Sequence, residues 1–141
     1  MGTIIQEIEI ARSQDLVWAA IRDVGEIHKR LVPGFVTDCK LDGDWRAVTF
    51  ANGVIARELI VSVDDERKRH AWSARSEQLT HHNASVQVFP NGEDKCRVVW
   101  IADLMPNEAV QPISEMIKQA LTVMKQTLEK GVGMTATVEP L

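Results

Sequence analysis

Residues 107–130 read NEAVQPISEMIKQALTVMKQTLEK. Their apolar members include Ile113, Met116, Ile117, Ala120, Leu121, Met124 and Leu128, the three-and-four spacing that puts one broad apolar stripe on a helix. The segment follows Met105-Pro106 and runs into Gly131, a residue that stops helices. Upstream, from Phe35 to Leu104, the period changes to that of short strands separated by turns. A long helix lying across a curved antiparallel sheet leaves a cavity between the two. Such a cavity suits a small apolar molecule.

Working outward, the chain opens with alternation from Thr3 to Ala11, with Ile4, Gln6, Ile8 and Ile10 on one face, which is a strand. Ser13 then caps a helix carrying Leu16, Val17, Ala20, Ile21 and Val24, and Asp15 sits in its first turn. Gly25 interrupts it, a short second helix covers Glu26 to Leu31, and Pro33-Gly34 ends the segment. Six strands follow, at about Phe35–Leu41, Trp45–Phe50, Val54–Val63, Arg69–Ser76, His81–Phe89 and Lys95–Leu104. Asp42-Gly43-Asp44, Ala51-Asn52-Gly53 and Pro90-Asn91-Gly92-Glu93 are hairpin turns, and Asp64 to Arg67 is a weaker one. With no crossover helices between strands the sheet must be mainly antiparallel, so the class is α+β.

Length and composition bound the function. A chain of 141 residues is expected to form one domain, here residues 1–131, followed by a tail over 132–141. Val132, Met134 and Val138 of that tail are candidates to dock on a neighbour or a second copy, so a monomer or a homodimer is expected. The net charge of −4 argues against nucleic acid as a partner. The basic run Arg67-Lys68-Arg69-His70 follows three acidic residues and reads as a solvated hairpin tip. Cys39 and Cys96 fall in predicted strands as small hydrophobes. No stretch resembles a signal peptide or a membrane span, so a soluble cytoplasmic protein without a stable membrane anchor is expected.

The order strand, two helices, six strands, long helix resembles the helix-grip fold of the SRPBCC superfamily. That superfamily includes START lipid-transfer domains, birch-pollen-type allergens, polyketide cyclases and plant abscisic-acid receptors. The stretch from Ile8 to Trp18 (IEIARSQDLVW) is similar to the family's strand-then-helix opening. Glu58 to Arg67 (ELIVSVDDER) is similar to the central hairpin of the plant receptors, and Trp100 to Pro106 (WIADLMP) to the last strand leading into the long helix. Within the superfamily the chain is most similar to the bacterial polyketide cyclase/dehydrase and lipid-transport proteins. The resemblance implies a seven-stranded antiparallel sheet wrapped around the final helix, and a ligand pocket between them.

The resemblance puts Glu58 in the pocket, at the place of a receptor carboxylate. By alternation Ala56, Ile60 and Ser62 then face the same way, and Trp72 and Ala74 face in from the next strand. For the strand from His81 to Phe89 two readings stand. The receptor resemblance brings Asn83 and Ser85 inward, whereas polarity puts Ala84, Val86 and Val88 inside. In the last strand polarity puts Trp100 inside, while counting back from Met105-Pro106 against the receptors favours Val99 and Ile101. A second receptor carboxylate is replaced here by Val99. Phe35 is expected to close over the opening, and Met116, Ala120 and Met124 to line the helix side.

Glu58 and His81 are the candidate acid–base groups. His81 and His82 are adjacent on a strand and point to opposite faces, and no further ligands accompany them, so no metal is expected. No phosphate-cradling glycine loop and no nucleophile motif occurs, and no cofactor is expected. The leading reading is binding of a small hydrophobic molecule such as a lipid, polyketide or isoprenoid. Beside it stand a cyclase- or dehydratase-type enzyme and a regulatory or chaperone-like module.

Overall fold

A computed structural model describes residues 2–77 and 79–130. The expected tail over 132–141 lies outside the described residues. The elements are β1 (Gly2–Ile10), α1 (Gln14–Arg22), α2 (Ile27–Arg30), β2 (Val36–Asp42), β3 (Trp45–Phe50), β4 (Ile55–Asp64), β5 (Arg69–Arg75), β6 (His81–Pro90) and β7 (Cys96–Met105). One 3₁₀ turn, Asn107–Ala109, leads into α3 (Val110–Glu129). Every strand pair is antiparallel, and the seven strands run β1-β7-β6-β5-β4-β3-β2 across the sheet. This is the helix-grip architecture expected from the sequence. The long helix starts slightly later than Asn107. Pro112 is harmless there, because the first turn has no intrahelical partner for its N–H in any case.

Two register shifts, between Val36 and Asp38 in β2 and between Ile60 and Ser62 in β4, interrupt the ladders. Extra residues of this kind bend a strand and increase its twist, so the sheet curls. Its concave face carries Ile4 and Ile10 of β1, Val48 of β3, Val86 and Val88 of β6, and Val98, Ala102 and Leu104 of β7, all buried. Onto this face α3 lays Ile117, Ala120, Leu121, Met124 and Leu128, also buried. Removing each large aliphatic side chain of that set from water contributes about 1.5–3 kcal/mol, which holds the helix to the sheet.

Polar contacts fix both ends of α3. Gln6 Nε2 donates to the Ser114 carbonyl at 2.8 Å near its start. Arg12 donates to the carbonyls of Leu128 at 3.0 Å and Glu129 at 2.6 Å at its end, where carbonyls lack intrahelical partners. The short helices are pinned separately. Trp18 Nε1 and the Arg22 guanidinium both donate to Asp65 in the β4–β5 turn, at 2.9 and 2.7 Å. Cys39 and Cys96 are buried free thiols. Among the described residues no helix is long and apolar enough to cross a membrane.

Candidate functional site

The curled sheet, α3 and the α1–α2 segment do not close on one another. Between them lies a cavity of about 560 Å³, inside the size range of small-molecule sites. The helical side of its wall is apolar: Met116, Ile117, Ala120 and Met124 from α3, with Ile27, Leu31 and Val32 from the α2 region. Phe35, Phe50, Asn52 and Met116 line both this cavity and a shallower hollow beside Pro33 and Gly34. Phe35 meets Phe50 edge-on, with ring centroids 5.8 Å apart. Both rings border the two spaces.

The sheet side is different. Three cross-strand rows on the concave face carry its chemistry. Arg46, Glu58 and Ala74 form the first, Trp72, Ala84 and Ala102 the second, and His70, Val86 and Trp100 the third. The small alanines of the middle row leave room for indole rings. Trp72 stacks on His70 at 4.9 Å and meets Trp100 edge-on at 5.5 Å. Arg46 and Glu58 are a buried ion pair. Arg46 Nε donates to Glu58 Oε1 at 2.8 Å, and Nη2 lies 2.7 Å from the same oxygen. The third guanidinium nitrogen, Nη1, donates to the Val24 carbonyl at 2.9 Å, which ties the sheet to the end of α1. The guanidinium carbon is 5.6 Å from the Trp72 ring. Breaking such a pair leaves a charge stranded in low dielectric, so each partner depends on the other.

His70 is 3% exposed. Burial, reinforced by the positive charge of Arg46, lowers its pKa to about 4, while the contact with the Ser62 carbonyl works the other way. Its ring is therefore neutral at pH 7. Burial, with the neighbouring His81 adding to it, also lowers the pKa of His82. His70 Nε2, both ring nitrogens of His82 and the indole nitrogen of Trp100 are buried without a hydrogen-bond partner among the described residues. All three side chains line the cavity.

The expected site residues divide accordingly. Phe35, Ala56, Glu58, Trp72, Ala74, Trp100, Met116, Ala120 and Met124 line the cavity. His81, Asn83 and Ser85 do not. They lie on the outer face of β6, where His81 and Asn83 are exposed and Ser85 pairs with Ala71 and Ile101. The physical reason is the strand's polarity. Its other face carries Ala84, Val86 and Val88, whose burial is worth more than any bond Asn83 could make inside. Ile60 and Ser62 are also corrected. Ile60 pairs with Trp72, but its N–H is bonded to the Asp44 carbonyl in the β2–β3 turn, and it stands outside the cavity wall. The shift after Ile60 then pairs Ser62 with Ala71, and Val63 with His70.

Among the wall residues that escaped the sequence reading, Arg46, His70 and His82 each had a signal. Arg46 and Glu58 are equidistant from Asn52, so counting outward from that turn pairs them. His70 stands two residues before Trp72 and shares its face, but its basic neighbours disguised it as part of a solvated tip. His82 replaces His81 through the polarity reading of β6. Among the described residues no three His, Cys, Asp or Glu side chains converge on a metal position.

Residues 1–137 match the family described as polyketide cyclase / dehydrase and lipid transport. The chain belongs to that family. No curated protein matches it in sequence. Among solved structures it is similar to the protein XoxI from Bacillus cereus, with a TM-score of 0.82 at 20% identity, covering 92% of this chain and 98% of that one. It is also similar to norcoclaurine synthase from Thalictrum flavum in complex with dopamine and hydroxybenzaldehyde, with a TM-score of 0.72 at 21% identity, covering 97% and 89%. A START superfamily protein from Mycobacterium smegmatis gives a TM-score of 0.71 at 12% identity, covering 95% and 99%. At such identities the likeness is one of fold.

Proposed function

We propose that this protein is a binding or carrier domain for one small, largely apolar molecule held between the sheet and α3. The single observation that carries the reading is the cavity itself. About 560 Å³ of space remains inside a chain this small, walled on the helical side by aliphatic and methionine side chains. Interiors are otherwise packed as tightly as organic crystals, so a void of this size is a feature that needs an occupant. Met116 and Met124 are unbranched and let the wall adapt to several ligand shapes. The family description, which includes lipid transport, and the small aromatic molecules held by the norcoclaurine synthase structure agree with this reading. We place the activity in the cytoplasm as part of the same proposal. An apolar fluorescent probe should bind saturably, be displaced by polyketide-like or isoprenoid compounds, and change the emission of Trp72 and Trp100. Linear, non-saturable uptake of the probe would contradict it.

A cyclase- or dehydratase-type enzyme is the second reading. One observation favours it. Glu58 is a carboxylate, His70 is a neutral imidazole with an unprotonated nitrogen, and both belong to the same wall. Such a pair can move protons on a folded polyketone. Conversion of a model polyketone at a rate that His70→Phe abolishes would establish it.

A further inference from the structure

We propose that the cavity takes a single-tailed amphiphile tail first and keeps its head at the mouth beside Glu108, so that neutral and cationic heads are accepted and carboxylate heads refused. The inference rests on the binding reading above and names its ligand class.

Exposure divides the lining into a floor and a mouth. Trp72, Val86, Ala120 and Met124 are buried, and with the buried Arg46 and Glu58 they make the floor. Asn52, Val54, Glu108 and Pro112 line the same space and are exposed, so the space opens where they stand. They belong to the β3–β4 turn, the 3₁₀ turn before α3 and the first turn of α3. The loop from Ser76 to Leu79, between β5 and β6, supplies two more lining residues at its ends. These segments are neighbours. The Thr80 N–H donates to the Met105 carbonyl at 3.0 Å, which sets the β5–β6 loop beside the chain leading to Glu108. Asn52 borders the shallower hollow together with Met116 of α3.

The floor offers a polar head little. Arg46 has Nε and Nη2 on Glu58 and Nη1 on the Val24 carbonyl, so its charge is already matched. His70 Nδ1 lies 3.1 Å from the Ser62 carbonyl oxygen. His70 Nε2, both ring nitrogens of His82 and Trp100 Nε1 have essentially no accessible surface. Apart from the ion pair, the floor therefore shows the space aromatic and aliphatic carbon. A head pushed there gives up water for no new donor, which is costly, whereas a hydrocarbon tail gains by the same burial. At the mouth a head keeps water on one side, and the charge beside it is negative. Among the described residues Glu108 has no ion-pair partner. Glu77, exposed between Ser76 and Leu79, adds a second carboxylate. Arg46 is the one Lys or Arg among the described lining residues, and it belongs to the floor. Arg57 and Arg75 stand on the outer face of the sheet against Trp45. A carboxylate head is thus repelled where it would have to stay, and an ammonium head is attracted.

Four ten-carbon compounds, each below its micelle concentration, test the proposal by displacing an apolar fluorescent probe at pH 7: decan-1-ol, decane-1,10-diol, decylammonium and decanoate. Decylammonium should bind at least as tightly as the alcohol. The diol should bind about tenfold more weakly than the alcohol, because one of its hydroxyls must go to the floor. Decanoate should also be weaker by about tenfold at low salt, and the gap should narrow as salt is added. Glu108→Lys should reverse the order of decylammonium and decanoate, and Glu108→Gln should bring the two closer together. A diol as tight as the alcohol overturns the tail-first placement. Tightest binding of decanoate by the wild type overturns the proposal by showing that Arg46 reads the head. An order unmoved by Glu108→Lys overturns the place of the head. A probe that binds but yields to none of the four overturns this inference and leaves the binding reading intact, whereas a probe that does not bind overturns both.

Discussion

The two walls of the cavity are built on opposite principles. The helical wall, with Met116, Ile117, Ala120 and Met124 of α3 and Leu31 and Val32 beside α2, is apolar apart from Glu108 in the turn before α3. The sheet wall holds Arg46, Glu58, His70, Trp72 and Trp100 in three adjacent rows. Apolar contact is non-directional and forgiving of shape, so the helical wall sets how much can be held. Hydrogen bonds and charges are directional and unforgiving, so the sheet wall sets how it is held. The apolar side chains of the helical wall can repack with small losses, whereas the rows cannot lose one member without stranding another.

The largest expected effect separates the walls by stability. Glu58→Leu leaves Arg46 buried and unpaired, and should destabilise the fold by about 3–5 kcal/mol. Adding Arg46→Met should restore much of that loss, because two apolar side chains replace the pair. Met124→Leu on the opposite wall conserves volume and should cost less than about 1.5 kcal/mol. Urea unfolding of the four proteins checks all of this. Comparable losses for Glu58→Leu and Met124→Leu would erase the distinction between the walls.

The next effect is on pH. The folded pKa of His70, about 4, lies below its unfolded value of 6.5. Between those values the unfolded chain binds the extra proton, so stability falls as pH drops from 6.5 to 4. The full span corresponds to about 3 kcal/mol. His82, also lowered, acts in the same direction. Asp64, Asp65 and Glu129 have lowered carboxylate pKa values, so their losses set in as the pH falls through the ordinary carboxylate range, at the acid end of this window and below it. His70→Phe should flatten the slope between pH 6.5 and 4. A slope unchanged in that variant would show that His70 is not the group responsible.

A smaller effect concerns the rim where the walls meet. Gly34 has a φ of +86° and open space around the position of a Cβ. Gly34→Val therefore strains the backbone without a clash, at a cost of about 1–2 kcal/mol. Stiffening the loop that carries Phe35 should slow ligand exchange in stopped-flow traces more than it changes equilibrium affinity. Identical on- and off-rates would make the loop a simple connector.

The fold was legible because its signals are redundant. The stripe from Ile113 to Leu128, the hairpin turns and the alternation in each strand all point to one architecture. Gly53, for instance, takes a φ of +90° in the Asn52 turn, as the turn's sequence implies. The site was legible only where alternation runs unbroken. Ala56 and Glu58 precede the shift in β4 and line the cavity, while Ser62 follows it and does not. His81, Asn83 and Ser85 were drawn inward by the receptor resemblance against the polarity of their own strand. A single sequence also leaves partners implicit. Glu58 reads from the sequence as a lone pocket carboxylate, yet Arg46 stands opposite it across the hairpin. The contact of His70 with the Ser62 carbonyl follows the shift in β4, after which Val63 pairs with His70.

The central claim is that the space between the two walls holds one small apolar molecule. Native mass spectrometry of the purified protein, loaded with an apolar probe, tests it against Ala120→Phe. That substitution pushes a ring from α3 into the cavity. One probe molecule bound per chain in the wild type, and none or almost none in Ala120→Phe, is the expected result. Equal retention by a folded Ala120→Phe protein, or no retention by the wild type, would contradict the account.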